Sequence, residues 1–172
     1  IVRASAQKIE GIKISLLAAQ WEVAMRPRLP AGVIMFTGDD FNYDTLIAGD
    51  GGHHSHALLG IFDPIAPVAA AALAMLATGD AQSYKRTIAP TIPLSREIFR
   101  TPTRHYKAGV IFLAWLNGHQ SHFVAAGGLQ SARSVRHYAK VFELADRCGA
   151  LIDPDLAVSR MRSFLHVHAG IS

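Results

Sequence analysis

Apolar positions in the first sixty residues fall into short runs separated by helix-spaced segments. Ile1 to Lys8 reads as the tail of a helix, and Ile9 to Ser15 as a short, nearly all-apolar strand of the kind covered on both faces. Leu17, Trp21 and Met25 recur at i, i+4 and i+8, which predicts a helix over 16–28 closed by Pro27 and Pro30. Gly32 then opens a second strand, Val33 to Thr37. Asp40 or Asn42 can cap a short helix through Ile47, and Gly49-Asp50-Gly51-Gly52 turns the chain into a third candidate strand, His53 to Leu59. The order predicts three parallel β/α units. Parallel crossovers are right-handed and ligands gather beyond the carboxyl ends of the strands, so Lys13, Asp39 and the His53 to His56 segment are expected to converge.

From Asp63 onward the pattern needs no strand. Asp63-Pro64 caps a predicted helix through Ala77, stopped by Gly79, and Asp80 starts another through Ile88. Pro90 and Pro93 interrupt, and a short segment through Arg100 leads to the Thr101-Pro102 turn. Three more helices follow: Tyr106 to Leu116, stopped by Asn117-Gly118; Ala132 to Arg147, with Ser131 as cap and Gly149 as stop; and Pro154 to His166, starting from Asp153. This divides the chain into β/α units over 1–62 and a helical region over 63–172.

Composition narrows the function classes. At 172 residues and 50% apolar, the chain can bury a sizeable core. Its longest apolar stretch, Ile65 to Leu76, is well short of the roughly 20 residues of a membrane span, which predicts a soluble protein. Cys148 is the single cysteine, so no internal disulfide forms and a reducing cytoplasm is expected. The net charge of +4 arises in the second half, where Lys85, Arg86, Arg96, Arg100, Arg104, Arg133, Arg136 and Lys140 are scattered without aromatic interleaving. Solvated helix faces, not a nucleic-acid groove, are implied. The opening Ile1-Val2-Arg3 lacks a methionine or a leader pattern, and the expectation is that further chain precedes it.

The candidate chemistry lies where the apolar runs end. Lys13, between Ile12 and Ile14, either snorkels to solvent or sits desolvated as an amine nucleophile requires. Asp39 and Asp40 follow the second strand; one can cap the next helix while the other faces the mouth, for substrate contact or proton handling. Strand alternation puts His54 and His56 on one side and His53 and Ser55 on the other. The imidazoles can serve as acid and base, bind substrate, bind metal, or fill a polar interior, and no Cys or acidic residue stands beside them at ligand spacing. His119 and His122 read as a surface loop, His166 and His168 as a terminal helix, and Tyr106 and Trp115 as packing. Gly127-Gly128 lacks the context and lysine of a phosphate loop.

Taken in order, these segments resemble the C-terminal portion of the dihydrodipicolinate synthase and N-acetylneuraminate lyase family. Ile9-Glu10-Gly11-Ile12-Lys13 is similar to that family's sixth strand with its Schiff-base lysine, Val33 to Asp40 to the seventh with its Ser/Thr-Gly-Asp-Asp end, Gly49 to Ser55 to the eighth, and Ala77 to Lys107 to its helical tail. A divergent dihydrodipicolinate synthase-like branch looks closest. The resemblance implies a (β/α)₈ TIM barrel, of which this chain would hold strands 6 to 8 and the C-terminal helical extension, the N-terminal half lying before Ile1. It also implies a homo-oligomeric class I aldolase-type lyase, without a cofactor or metal, in which Lys13 forms an imine with a 2-keto acid such as pyruvate. Asp39, Asp40, His54, Ser55 and His56 are then the candidate substrate-binding residues, with no nucleic acid or membrane partner. His53-His54-Ser55-His56 stands where the family is aliphatic, so another substrate is expected. Two rival readings stay open: a metal-dependent aldolase or hydratase in which His54 and His56 with Asp39 hold the metal, and a non-catalytic interaction subunit.

Overall fold

The computed structural model describes residues 2–50 and 52–171. Three strands, β1 (Gly11–Ile14), β2 (Ile34–Thr37) and β3 (His56–Ala57), make one parallel sheet in the order β1-β2-β3. Helix α1 (Ala19–Met25), continued by a 3₁₀ turn over Arg26–Arg28, joins the first two strands, and α2 (Tyr43–Ala48) joins the last two. The register sets Lys13 beside Phe36 and Phe36 beside His56, while Ile14, Thr37 and Ala57 line up one step on. Laterally paired residues of parallel strands share a face, so Lys13, Phe36 and His56 form a row across one side of the sheet.

The rest is helical: α3 (Ala66–Ala77), α4 (Ala81–Ile88), α5 (Ile92–Ile98), α6 (Tyr106–Leu116), α7 (Val135–Arg147) and α8 (Pro154–Ala169). Local chemistry accounts for the boundaries. Asp80 accepts the Ser83 amide at 2.9 Å to start α4, and Asp153 accepts the Leu156 amide at 3.0 Å to start α8. Helix α3 starts without a side-chain cap, with Pro67 in its first turn, so Asp63 is not its cap. Helix α7 starts three residues later than Ser131 predicts. Gly127 and Gly128, both at positive φ, bend 126–132 into a kinked 3₁₀ segment, and Ser134 caps instead.

The molecule is mostly helical with a small three-stranded sheet, which overturns the expected TIM-barrel portion of strands 6 to 8. The features behind that expectation, an apolar run ending in Gly-Ile-Lys and another leading to Thr-Gly-Asp-Asp, form the paired strands β1 and β2 here within a sheet of three strands. Most of the apolar residues go into helix–helix packing. The predicted third strand over His53 to Leu59 shrinks to two residues, because Asp50 and His53 exchange backbone hydrogen bonds of 2.8 and 2.7 Å in a tight loop that delays pairing. Gly51, within the predicted glycine turn, lies outside the described residues.

One contiguous core runs from Tyr43 to Phe164 and is built mainly by the helices. Its centre is aromatic: Phe112 meets Tyr138, Phe123, Phe164 and Trp115 at ring-centroid distances of 4.8 to 5.8 Å. Three polar bonds tie the sheet end to this core. Tyr43 and Thr91 share a 2.5 Å hydroxyl hydrogen bond, the Tyr84 hydroxyl donates to the Asp44 carbonyl at 3.0 Å, and the Ser95 hydroxyl donates to the Asp40 carbonyl. Between α5 and α7, Glu97 holds the His137 Nδ1 at 2.7 Å, while burial pushes the imidazole below its ordinary range. Phe112→Ala should lower the unfolding free energy by about 3–5 kcal/mol; a urea titration checks this, and a loss under about 1 kcal/mol would show that the aromatic centre is not the core's main support.

Candidate functional site

Lys13 stands one residue from the end of β1, and its side chain is exposed, not desolvated. It takes a defined path. A Cβ placed on Gly38 would come within 2.6 Å of Lys13 Cε and 2.5 Å of Ser15 Oγ, so the lysine arm lies across the bare backbone of Gly38. The Gly38 amide donates to the Ile14 carbonyl at 2.6 Å, which carries the β1–β2 pairing up to this crossing. Gly11, at the start of β1, makes room in a similar way: Phe36 Cε2 would lie 2.5 Å from a Cβ there, so the ring occupies that space.

The two aspartates after Gly38 divide their roles. Asp39 is fully buried and its carboxylate is used locally. Oδ1 accepts the amides of Phe41 at 2.8 Å and Asn42 at 3.1 Å, and Oδ2 accepts the Asn42 side-chain amide at 2.8 Å. Asn42, at the N-cap position of α2, makes no capping bond of its own. Asp40 is 6% exposed and accepts the Ile61 amide at 2.8 Å. Burial pushes its carboxyl from the ordinary 3.8 up to about 6; the Ile61 bond and the Lys13 charge pull it partly back, while Asp39 pushes the other way. A carboxyl held there can exchange a proton near neutral pH.

His54 and His56 lie on the Lys13 side of the sheet, both exposed, with ring centroids 5.2 Å apart; His56 also approaches Phe36 at 5.8 Å. A groove of about 610 Å³ runs beside them, lined also by Phe36, Ile47, Leu73 and Leu76. Ser55 points the other way. It is buried, and its hydroxyl donates to Glu22 Oε1 at 2.5 Å, so it does not share the imidazole face. His53 contributes mainly backbone, its carbonyl accepting from Arg26 at 3.2 Å.

Glu22 and Arg26 were not singled out by sequence reasoning. The Leu17, Trp21 and Met25 stripe does not supply the buried face of α1: Trp21 is 61% exposed, whereas Glu22 is 1% and Arg26 6%. The available signal was a Glu and an Arg four residues apart in a short apolar helix. His119 and His122 are exposed, as are His166 and His168 on α8, and Tyr106 stacks on Phe99 at 4.6 Å as packing. Cys148 is buried, which raises its thiol and leaves it inert.

A family model described as a protein of unknown function, DUF993, matches residues 1–171. The chain belongs to the DUF993 family. A comparison with curated proteins gives no match. Among the described residues of this DUF993 chain, no three His, Cys, Asp or Glu side chains come together as a metal centre would need, and no helix is long and apolar enough to cross a membrane. What this DUF993 member does hold is an accessible amine and two imidazoles on one sheet face, with the buried Asp40 carboxyl, pushed up to about 6, past the end of β2.

The Asp40 titration has a signed consequence for stability. A carboxyl raised by folding contributes fully below its unfolded value of 3.8, and that contribution is lost as pH rises through about 6. Asp40→Asn keeps an oxygen for the Ile61 amide and removes the charge, so at pH 8 it should be more stable than the parent by about 1–3 kcal/mol. At pH 4 the gap should fall below about 1 kcal/mol. Urea titrations at the two pH values check this; a gap independent of pH would contradict it.

Proposed function

We propose that this protein is a Schiff-base-forming lyase or aldolase that acts on a 2-keto acid or related carbonyl compound through Lys13. The observation that carries this reading is the course of the Lys13 arm across Gly38, beside a buried Asp40 whose carboxyl changes charge near neutral pH. The amine is exposed and open to a small carbonyl compound; without the burial that favours a free amine, its proton has to go to a base, and a carboxyl of that kind can accept and return it within one cycle. The motif resemblance to the dihydrodipicolinate synthase and N-acetylneuraminate lyase family supports the same chemistry, though not its barrel.

The cycle balances without an added oxidant or cofactor. The Lys13 ammonium gives up a proton, with Asp40 as acceptor, and the Nζ lone pair forms a C–N bond to the carbonyl carbon. The carbonyl electron pair moves to oxygen, which is protonated and leaves as water, giving an iminium. That iminium accepts the electron pair of the carbon–carbon bond broken beside it as the hydroxyl on the departing carbon gives its proton to a base and becomes an aldehyde, leaving an enamine that is then protonated on carbon; in the reverse direction, the enamine donates the pair to an aldehyde, whose oxygen takes up a proton. Hydrolysis returns the amine. His54 and His56, on the same face, receive the remaining polar groups of the substrate. A cytoplasmic, homo-oligomeric enzyme completes the reading. The metal-dependent alternative lacks a third ligand beside the imidazoles among the described residues, since Asp39 is committed to its own turn.

Incubation with a panel of 2-keto acids including pyruvate, followed by borohydride and peptide mass mapping, should place one reduced adduct on Lys13. Lys13→Ala should abolish it, and EDTA should leave turnover unchanged. No adduct, together with turnover abolished by EDTA, would overturn the imine route. Gly38→Ala, whose Cβ would meet Lys13 Cε and Ser15 Oγ and press on the Ile14 carbonyl that the Gly38 amide bonds, should cut the rate of trapping about 10-fold or more while circular dichroism shows the helices still folded; unchanged trapping would mean the crossing does not matter.

A further inference from the structure

Helix α1 is built the wrong way round for stability alone. Trp21 and Met25 face solvent, and the buried residues of the helix and of the 3₁₀ turn that continues it are Glu22 and Arg26, one turn apart. Each keeps a buried polar atom without a hydrogen-bond partner, Glu22 Oε2 and Arg26 Nε. Burying opposite charges this way costs several kcal/mol relative to apolar side chains of similar size. A helix serving only to cover the sheet would carry the reverse arrangement.

What the buried charges hold is the segment around His54. Glu22 Oε1 accepts the Ser55 hydroxyl at 2.5 Å, and Arg26 NH1 donates to the His53 carbonyl at 3.2 Å. The same nitrogen donates to the Leu46 carbonyl at 3.2 Å, and Leu46 also accepts the Ser55 amide at 3.0 Å. The guanidinium thus sits at the carboxyl end of α2, where a cation is favoured. The residues on both sides of His54 are pinned from the far side of the sheet, which leaves its ring to project onto the Lys13 side next to His56.

We infer that Glu22 and Arg26 are positioning residues that fix His54, and with it the His54–His56 imidazole pair, on the sheet face shared with Lys13. The inference rests on the Lys13 reading for its purpose, so its test is independent of activity. On ¹⁵N-labelled full chain, long-range ¹H–¹⁵N spectra report the four imidazoles of His54, His56, His119 and His122 separately. Glu22→Ala should move the His54 and His56 signals while His119 and His122 stay in place, and Ser55→Ala, which removes the same bond, should do likewise. Glu22→Gln retains an oxygen for Ser55 and should restore the parent positions. Unmoved His54 and His56 signals in folded Glu22→Ala or Ser55→Ala would overturn the inference, as would equal shifts at all four histidines. Should Glu22→Ala not fold, Ser55→Ala and Glu22→Gln still decide the matter.

Borohydride trapping supplies the link to the reaction: adduct formation at low substrate should fall about 10-fold or more in Ser55→Ala and recover in Glu22→Gln. If the parent protein forms no adduct, the Lys13 reading has failed, and the spectra decide the positioning role alone.

Discussion

Asp40 joins the two halves of the molecule. Its carboxyl accepts the Ile61 amide and its own carbonyl accepts the Ser95 hydroxyl, so a single residue at the end of β2 is bonded to the segment that enters the helices and to α5 within them. A carboxyl buried to this extent is held at the expense of stability once ionised. The helical core is large enough to bear it. Tyr43 and Tyr84 add hydroxyl bonds on either side of the junction, which fixes the acidic turn to the packed helices instead of to the small sheet.

With that junction fixed, the sheet becomes a platform with two unlike faces. One is covered: Met35, Thr37 and Ser55 are buried, and Ser55 is bonded to α1. The other carries Lys13, Phe36, His54 and His56 and stays open. The charges buried in α1 belong to the first face yet act on the second, because a strand places alternate residues on opposite sides and an anchor on Ser55 sets its neighbour. On that face Phe36 stands between the amine and the imidazoles.

Elements whose ends rest on local chemistry were legible from the chain. Asp80, Asp153, Asn117-Gly118, and Pro90 before α5 with Pro93 in its first turn each mark a boundary the structure keeps. The Lys13 and Asp39-Asp40 positions at strand ends, and the shared side of His54 and His56, were legible as well. Three things were not. Periodicity assigned α1 an apolar stripe, but the inward face was decided by loop carbonyls and a hydroxyl that come close only in three dimensions. Which aspartate serves its own turn and which reaches into the helical part depended on Ile61 and Ser95, 21 and 55 residues from Asp40. The barrel expectation extended short strand motifs to a closed sheet, whereas closure depends on how many strands pair, which no motif encodes.

The sheet's brevity has a dynamic consequence. Its ladder holds four residues of β1, four of β2 and two of β3, with few buried apolar side chains of its own, while the helices carry the core. Cooperative units with little buried surface open first, so backbone amides in the ladder exchange with solvent at free energies below those of α6 and α7. The amine and the imidazoles therefore sit on the layer with the least buried surface of its own, while the helical body carries the global stability.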